Sequence, residues 1–426
     1  MAKLNKPDIT SVEDVRLYIL SFNAPAIDRH ARITFKRLLT ALGHPETATK
    51  AIHITGTNGK GSTTAMLYNG LRAAGYRVTA YMSPDVFDFR ERWQVNGDLV
   101  SEDDIVAATH ELCDQMSDID PANTDLTEFE VKTLIAFLIA RRCGVDYHCI
   151  EVGIGGKFDA TNVIPAPAAA IITSIGLDHA DVLGDSIRDV AYHKVGIVKA
   201  GTGVVGMGTI EGEARDIILE RVAHLNLPIV DASELHPVDT VLPGHHMGVN
   251  AALVLALLRH IMPENMDFSA VDAAVRGTLL PGRMQAIPVD GKVLLFDGAH
   301  NEAAAKNLAV TIGQTYTKKQ SIHAVVAHTG THDGVRFANA LSPQLTSAIV
   351  TVIPERGQAP QPVERAYLRA GVPVAVVSNP SEAIRHALEG AATGDIILVT
   401  GSFYLADVIK KHLPDGWLPA ISTVSD

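Results

Sequence analysis

The stretch of sequence that decides the fold is Ala51-Ile52-His53-Ile54-Thr55-Gly56-Thr57-Asn58-Gly59-Lys60-Gly61-Ser62, an apolar run followed by a glycine-rich loop. A helical pattern comes next and stops at Gly75. The order of strand, loop and helix is typical of a phosphate cradle, because backbone N–H groups and the helix N-terminus attract an anion while Lys60 adds a point charge. An ordinary P-loop has a hydroxyl directly after this lysine, whereas here Gly61 stands between Lys60 and Ser62. The sequence therefore predicts a variant nucleotide-binding loop.

Short apolar runs alternate with helical patterns along the rest of the chain, which is typical of βαβ units that form parallel sheets. The runs in the first part of the chain are Ala51–Thr55, Val78–Met82, Val145–Ile150, Ala168–Thr173 and Val204–Met207. Those in the second part are Lys292–Phe296, Ile322–Ala327, Ala348–Ile353, Val372–Val377 and Asp395–Val399. We therefore expect an α/β protein with two successive parallel sheets, the first of which carries the P-loop.

The two sheets imply two domains. A chain of 426 residues exceeds the usual size of a single hydrophobic core. Pro and Gly interrupt the helical pattern at Leu280-Pro281-Gly282-Arg283, just before a new apolar run begins. We expect a larger N-terminal domain over residues 1–281 and a smaller, Rossmann-like α/β domain over residues 282–426.

The composition is that of a soluble globular protein, with 47% hydrophobic and 20% charged residues. A net charge of -12 provides no basic surface for nucleic acid. The N-terminus lacks the apolar core of a signal peptide, and no stretch approaches the ~18 apolar residues of a membrane span. Three cysteines without metal-type spacing fit a reducing compartment. We expect a cytoplasmic enzyme without nucleic-acid or membrane partners.

Polar side chains follow several of the predicted strands in the first part. Ser83 comes after the second run, Glu151 after the third, and Asp178-His179 shortly after the fourth. Ligands of open parallel sheets bind at the carboxyl ends of the strands, and Mg²⁺ takes few protein ligands, so these side chains are candidates for a metal site. A lone Asp-His pair is otherwise typical of a helix cap. Lys194, at the end of a helical pattern, is by itself typical of a solvated lysine that favours the helix dipole.

Polar side chains also follow two strands of the second part. The segments Asp297-Gly298-Ala299-His300-Asn301 and Gly401-Ser402-Phe403-Tyr404 lie where a strand leads into a helix, so their polar residues are typical of N-caps. Arg283 lies just past the expected domain boundary. A guanidinium there can approach a γ-phosphoryl group and stabilise the transferred charge, and an ordinary surface arginine is the alternative.

Nine motifs form a specific set: the P-loop stretch, Tyr81-Met82-Ser83-Pro84 with Glu91-Arg92, Glu151-Val152-Gly153-Ile154-Gly155-Gly156, Asp159-Ala160-Thr161-Asn162, Leu177-Asp178-His179, His193-Lys194-Val195-Gly196-Ile197, Pro281-Gly282-Arg283, Asp297-Gly298-Ala299-His300-Asn301 and Gly401-Ser402-Phe403-Tyr404-Leu405. Together they resemble the Mur ligase superfamily and, within it, the folylpolyglutamate synthases and dihydrofolate synthases. The resemblance spans nearly the whole chain and implies a Mur-ligase-type fold. The glycine after Lys60 is typical of the folate branch.

The resemblance implies a role for each matching residue. The phosphates of ATP would bind to Thr57, Asn58, Gly59, Lys60, Gly61 and Ser62. Two magnesium sites would be formed by Ser83, Glu151, His179 and Lys194, the last as a carbamate. The remaining contacts to ATP would come from Asn250 at the adenine, Arg283 at the γ-phosphate and Asp297 at the ribose. The catalytic residues would be Lys60, Lys194, Arg283 and His300. The folate and glutamate substrates would lie near Ser83, Arg92 and Ser402.

The reaction implied by the resemblance is the ATP-dependent addition of L-glutamate to a folate through an acyl phosphate, carried out by a monomer. Dihydropteroate stays open as a second acceptor, because Asp85 stands where the family often has histidine. A cell-wall ligase of UDP-sugar peptides would use the same chemistry, but the P-loop begins only about fifty residues into the chain. A non-catalytic P-loop regulator would not require Arg283 and Asp297 in a second domain.

Overall fold

The computed structural model describes residues 6–22, 33–120, 125–264, 266–317, 319–330, 333–412 and 422–423. The chain forms two compact units. The first contains the described residues up to Val238 together with Val249–Thr278 and Ser422–Thr423. The second contains Asp239–Gly248 and the described residues from Leu279 to His412. The domain limits of 1–281 and 282–426 stay a prediction.

The first unit is built on an eight-stranded sheet. Its strands are β1 (Lys50–Thr55), β2 (Val78–Tyr81), β3 (Trp93–Val95), β4 (Asp98–Leu99), β5 (Tyr147–Glu151), β6 (Ala169–Ile172), β7 (Val204–Met207) and β8 (Ile229–Asp231). The strand order is β4-β3-β2-β5-β1-β6-β7-β8. The six strands β2-β5-β1-β6-β7-β8 are each parallel to their neighbours in this order. Strand β3 is antiparallel to both β2 and β4. A short strand, β9 (Thr278–Leu279), follows in the chain.

Helices connect these strands and follow them. They are α1 (Val12–Leu20), α2 (Ile33–Ala41), α3 (Lys60–Ala73), α4 (Glu102–Ile119), α5 (Glu128–Arg142), α6 (Ala180–Leu183), α7 (Ile187–Lys194), α8 (Gly212–His224), α9 (His245–Ile261) and α10 (Ser269–Arg276). Helix α5 begins with a capping box, in which Thr127 and Glu130 each accept a backbone N–H of the other. In the described ranges, no helix has the length and apolar content that crossing a membrane requires.

The second unit contains a six-stranded sheet. Its strands are β10 (Gln285–Val289), β11 (Lys292–Phe296), β12 (Ile322–Val326), β13 (Ser347–Val350), β14 (Val374–Val376) and β15 (Ile396–Thr400), in the order β10-β11-β15-β12-β13-β14. Its helices are α11 (Glu302–Thr315), α12 (Gly334–Leu341), α13 (Gln361–Arg369), α14 (Pro380–Gly390) and α15 (Ala406–Ile409). The last strand described, β16 (Ser422–Thr423), pairs with β9.

The α/β fold and all ten predicted strands are confirmed, with ends shifted by a few residues. The sequence did not predict the antiparallel strands β3, β4 and β10 near the sheet edges, nor the parallel edge strand β8. One of them, β10, forms a hairpin with β11 through Asp290-Gly291, whose positive φ angles of 47° and 74° suit a tight turn with the right twist. Strand β10 is only partly buried. It therefore lacks the apolar run by which the central strands were recognised.

Two buried histidines lie on the central strands and make the fold sensitive to acid. Burial, and then the charges of Lys199 and His148, lower the pKa of His53 to about 3, and burial lowers the pKa of His148 to about 3 as well. Between these values and about 6.5 the unfolded chain binds more protons than the native one. Each histidine should therefore lower the free energy of unfolding by about 1.4 kcal/mol per pH unit as the pH falls below about 6.

This prediction can be tested by urea unfolding between pH 6.5 and pH 5. Glu91 acts in the opposite sense there, because burial raises the pKa of its carboxyl to about 7. The comparison should therefore be made between the wild type and His148→Phe. Unfolding of the variant takes up about one proton fewer, so we expect its free energy of unfolding to fall less steeply with pH, by about 1.4 kcal/mol per pH unit. Equal pH slopes in the two proteins would show that His148 is charged in the native state.

Candidate active site

The glycine-rich loop lies between β1 and α3, as the sequence predicts. Gly59 has a φ of +85° and directly precedes Lys60, the first residue of α3. No side chain caps this helix, because the residue at the cap position is a glycine. The N–H groups of the first turn, including those of Gly61 and Ser62, thus present the positive end of the helix dipole to the loop. Lys60 Nζ folds back across the loop and donates to Gly56 O at 2.9 Å.

The segment Thr173–Gly176, which follows β6 and is here called the latch, holds the loop in shape. Thr173 Oγ1 donates to Asn58 O at 2.6 Å, and Ser174 Oγ accepts the N–H of Asn58 at 2.9 Å. Thr57 Oγ1 donates to Gly176 O at 3.0 Å and accepts the N–H of Gly176 at 2.9 Å. The loop is therefore fixed from the neighbouring strand. The latch could not be recognised in the sequence, because its only local signal is a Thr-Ser pair after a strand.

The latch predicts a large effect of a small substitution at Gly56. A Cβ atom there would lie 1.9 Å from Thr173 Oγ1 and 3.1 Å from Ser174 N. Thr173 cannot rotate away without losing its bond to Asn58 O. We expect Gly56→Ala to lower the free energy of unfolding by about 2 kcal/mol, as overpacking does, and to weaken ADP binding. Urea unfolding and calorimetry measure the two effects. Gly390→Ala is the control, because its Cβ would meet nothing within 4 Å, and a similar loss there would contradict the argument.

Ser83 and Glu151 lie side by side at the ends of β2 and β5. Glu151 is the last residue of β5, its side chain is buried, and its Oε2 accepts the N–H of Ser83 at 3.2 Å. The Ser83-Pro84 peptide bond is cis. In the part of the chain that the structure describes, no three His, Cys, Asp or Glu side chains form a metal-binding group. A carboxylate with a neighbouring hydroxyl nevertheless suits Mg²⁺, which takes few protein ligands and keeps several waters.

Lys194 is the last residue of α7, and only 3% of it is exposed. The interpretation of this residue as a solvated lysine is therefore wrong, since the helix end is packed inside the unit. Burial and then the charge of Lys60 lower the pKa of Lys194 to about 7, while Asp178 and Asp159 oppose this shift. Lys194 thus lies within electrostatic range of the phosphate loop. The sequence singled out Asp159 only as part of a motif and not as a charge that acts on Lys194.

Two further predicted residues belong to the same unit. His179 has a φ of +50° and directly precedes α6, but its side chain does not cap the helix. The interpretation of the Asp-His pair as a cap therefore fails for His179. Asn250, on α9, is buried, and its Nδ2 lies 3.1 Å from the position that a Cβ on Gly59 would occupy. Asn250 therefore adjoins the phosphate loop itself.

The segment after Ser83 is organised by a buried carboxylate. Glu91 accepts the backbone N–H groups of residues 86–88 at 2.7, 2.9 and 3.0 Å. The next residue, Arg92, donates from Nε to Asp85 Oδ1 at 2.5 Å. Asp85 stands where the family often has histidine, and it is the ion-pair partner of Arg92, the predicted substrate residue.

Two of the predicted residues of the second unit, Arg283 and His300, lie beside Phe403. The Arg283 guanidinium lies 4.8 Å from the centre of the Phe403 ring, and the His300 ring lies 6.4 Å from it. A Cβ on Gly298 would come within 2.1 Å of Phe403, so only glycine leaves room for the ring. The sequence analysis did not assign a role to Phe403. Its ring positions the cation of Arg283 through a cation–π contact.

Capping explains several polar residues of this unit. Asn301 Oδ1 accepts the N–H of Ala304 at the start of α11, and Ser402 Oγ accepts the N–H of Tyr404 at 3.3 Å. The Asp297 carboxylate accepts the N–H groups of Ala299 and Met284, each at 2.9 Å. The interpretation as N-caps is confirmed for Asn301 and Ser402. It is wrong for Asp297, whose carboxylate bonds to turn residues and not to the start of a helix. Asp297 also ties the turn after β11 to the residue that follows Arg283.

Two protein-family descriptions match the chain. Residues 54–233 match the Mur ligase middle domain, and residues 282–403 match the Mur ligase glutamate ligase domain. The first match contains the phosphate loop, Glu151 and Lys194, and the second contains Arg283 and Ser402.

Curated and solved relatives extend the match to nearly the whole chain. The dihydrofolate synthase/folylpolyglutamate synthase of Bacillus subtilis is 31% identical over 95% of this chain and 99% of its own length. The folylpolyglutamate synthase of Mycobacterium tuberculosis, solved with ADP, is 26% identical with a TM-score of 0.85, and the match covers 96% of this chain and 98% of that one.

Two other solved relatives carry further ligands. The Escherichia coli protein in complex with DHPP and ADP is 25% identical, with a TM-score of 0.84 and coverage of 96% and 99%. The bifunctional Yersinia pestis synthase with AMPPNP and a Mn ion is 26% identical, with a TM-score of 0.82 and the same coverage. The chain belongs to the folylpolyglutamate synthase/dihydrofolate synthase family of the Mur ligases.

Proposed function

We propose that this chain is an ATP-dependent ligase that joins L-glutamate to the carboxylate of a reduced folate and of dihydropteroate. The single observation that supports this most is the burial of Lys194 within electrostatic range of Lys60, with the buried carboxylate of Glu151 in the same unit. A nucleotide regulator needs a phosphate loop, but it has no use for a buried amine beside it. We further propose that the enzyme is a cytoplasmic monomer.

The donor set of the first unit fits a nucleoside triphosphate with Mg²⁺. The uncapped N-terminus of α3 and the ammonium of Lys60 suit the phosphates, and the loop residues Thr57–Ser62 would surround them. Mg²⁺ would be held by Ser83, Glu151, His179 and a carbamate on Lys194. When bound, it supplies positive charge to the oxygens of the transferring phosphoryl group.

Burial supports the carbamate on Lys194. A buried ammonium beside Lys60 would repel a metal cation, whereas its neutral amine can attack CO₂, form an N–C bond and release a proton to solvent. The product is an anion that can bind a metal ion. This reaction needs no further reactant, and the low exposure of Lys194 would protect the carbamate from solvent.

The remaining roles are assigned residue by residue. We assign Asn250 to the adenine, Asp297 to the ribose, and Arg283 to the γ-phosphate, where its fork of donors suits phosphate oxygens. His300 and Ser402 are assigned to the amino-acid substrate. Ser83 and Arg92 are assigned to the folate.

The reaction would run in two transfers. An oxygen of the acceptor carboxylate attacks the γ-phosphorus of ATP and breaks its bond to the bridging oxygen, so that ADP leaves and an acyl phosphate forms. The amine of L-glutamate then attacks the acyl carbon, an amide bond forms, and inorganic phosphate leaves with the loss of a proton to solvent. Lys60 and Arg283 would stabilise the charge on the phosphoryl oxygens in the first transfer.

The test is glutamate-dependent release of ADP with purified protein. We expect turnover with tetrahydrofolate and with dihydropteroate, and none when L-glutamate is omitted. Turnover only with a UDP-sugar peptide would indicate a cell-wall ligase. ADP release that is independent of every acceptor and of glutamate would indicate a nucleotide-binding regulator, and either result would overturn the proposal.

A further inference from the structure

Two ion pairs form a charge cluster beside the predicted folate region, here called the Lys132 cluster (Asp85, Arg92, Glu128 and Lys132). Lys132 Nζ pairs with Glu128, one turn earlier on α5. Arg92 Nε pairs with Asp85 Oδ1 at 2.5 Å. Burial lowers the pKa of Lys132, the charge of Arg92 lowers it further, and the charge of Asp85 raises it. The two pairs therefore lie within electrostatic range of each other.

The cations and the carboxylates of the cluster differ in exposure. The side chains of Lys132 and Arg92 are 8% and 12% exposed, whereas those of Glu128 and Asp85 are 41% and 33% exposed. A buried cation needs an anion beside it at all times, because its desolvation is otherwise uncompensated. A half-exposed carboxylate can be hydrated by water instead. The carboxylates can therefore leave the cluster, provided that another anion takes their place.

The cluster lies at the edge of the sheet where the candidate active site is found. The Arg92 carbonyl accepts the N–H of Met82, the residue before Ser83, and the Lys132 carbonyl accepts Trp93 Nε1 at 3.3 Å. In the strand order β2-β5-β1, the strand that precedes Ser83 is two places from the strand that precedes the phosphate loop. Two strand spacings amount to ~10 Å. The two carboxyl groups of a glutamyl residue are only about 5 Å apart. An acceptor whose reacting carboxylate lies between these two strand ends can therefore place its second carboxylate at the cluster.

We propose that the Lys132 cluster is a subsite for a second carboxylate of the acceptor. This carboxylate displaces Glu128 and pairs with Lys132, and the positive charge of Arg92 attracts it as well. This inference rests on the proposed function. The exchange keeps the cluster neutral, since one carboxylate replaces another and Glu128 turns into water. The subsite would favour folates, which carry an α-carboxylate besides the reacting one, over dihydropteroate, whose single carboxylate must react.

The experiment measures KM and kcat for tetrahydrofolate and dihydropteroate in the wild type, Lys132→Met and Glu128→Gln. Lys132→Met should raise KM for tetrahydrofolate about tenfold, as the loss of a hydrogen bond to a charged group does, and leave KM for dihydropteroate within about twofold. Glu128→Gln should lower KM for tetrahydrofolate, because it removes the competing carboxylate. It also keeps the buried cation, on which the charge of Asp85 still acts, so it tests the subsite even where Lys132→Met folds poorly.

Lys306→Met is the matched control, because Lys306 pairs with Glu302 at 2.7 Å with the same spacing on α11 of the second unit. It should change neither KM. A KM for tetrahydrofolate that rises in Lys132→Met and falls in Glu128→Gln supports the subsite. This holds even if the wild type uses tetrahydrofolate as its only acceptor. Equal shifts for both acceptors, no shift, or a wild type that uses dihydropteroate alone would overturn it. If the wild type releases no glutamate-dependent ADP with either acceptor, the proposed function is wrong instead. Calorimetric titration with tetrahydrofolate then tests the subsite, because Lys132→Met should raise its Kd and Glu128→Gln should lower it.

Discussion

Replacing Lys194 by alanine should lower glutamate-dependent ADP release by roughly a hundredfold, and added acetate should restore part of the activity. Truncation removes the group that would carry the carbamate and leaves a buried space at the end of α7. A small carboxylate that enters this space can supply the missing negative charge. The measurement is a steady-state assay of the variant with and without acetate. Depletion of CO₂ and bicarbonate should lower the activity of the wild type in the same way.

Lys199→Ala is a matched control for this experiment. Lys199 is another largely buried lysine, and burial lowers its pKa to about 8. Its Nζ donates to the carbonyls of Asn162 and Ile164 at 2.9 and 2.5 Å, so its role is to close a turn. We expect Lys199→Ala to be less stable, with activity that does not respond to acetate. If acetate rescues both variants equally, or neither, Lys194 is not the carrier of a carbamate.

The parts of the site that could be predicted from the sequence are those that depend on local pattern. The P-loop was recognisable because β1, the glycines and the start of α3 are consecutive in the chain. Ser83 and Glu151 could be placed together because neighbouring parallel strands end at the same edge of a sheet. In the structure the Ser83 nitrogen lies 3.2 Å from Glu151 Oε2.

What the sequence could not predict depends on contacts between distant residues. The latch joins Thr173 to Asn58 through a hydroxyl and a carbonyl that are 115 positions apart. Such bonds leave no periodic pattern. The burial of Lys194 was likewise invisible, because an end-of-helix lysine is charged and normally solvated. The antiparallel edge strands were missed because they are short and only partly apolar.

Replacing Lys60 by methionine should lower kcat by roughly a thousandfold with little change in KM for the acceptor, which is the pattern of a group that acts mainly in the transition state. Methionine keeps most of the length of the side chain but removes its charge and its N–H donors, including the one that bonds to Gly56 O. The bonds between the loop and the latch do not involve Lys60, so the loop should keep its shape. In the structure Lys60 Nζ bonds to Gly56 O, and this bond must be exchanged for phosphate oxygens when ATP binds.

The effect of Lys60→Met should be measured beside Lys50→Met. Lys50 is exposed on β1, ten positions earlier, and lies 5.6 Å from the centre of the Tyr147 ring. Its substitution should leave kcat unchanged, because that end of the strand is opposite to the phosphate loop. A Lys60→Met enzyme that keeps kcat within about tenfold of the wild type would mean that phosphoryl transfer is stabilised by other cations.

Because Lys60 also lowers the pKa of Lys194, the same variant should raise that pKa, so part of its loss of activity would come from a less readily formed carbamate. High bicarbonate should recover that part and leave the loss due to phosphoryl transfer.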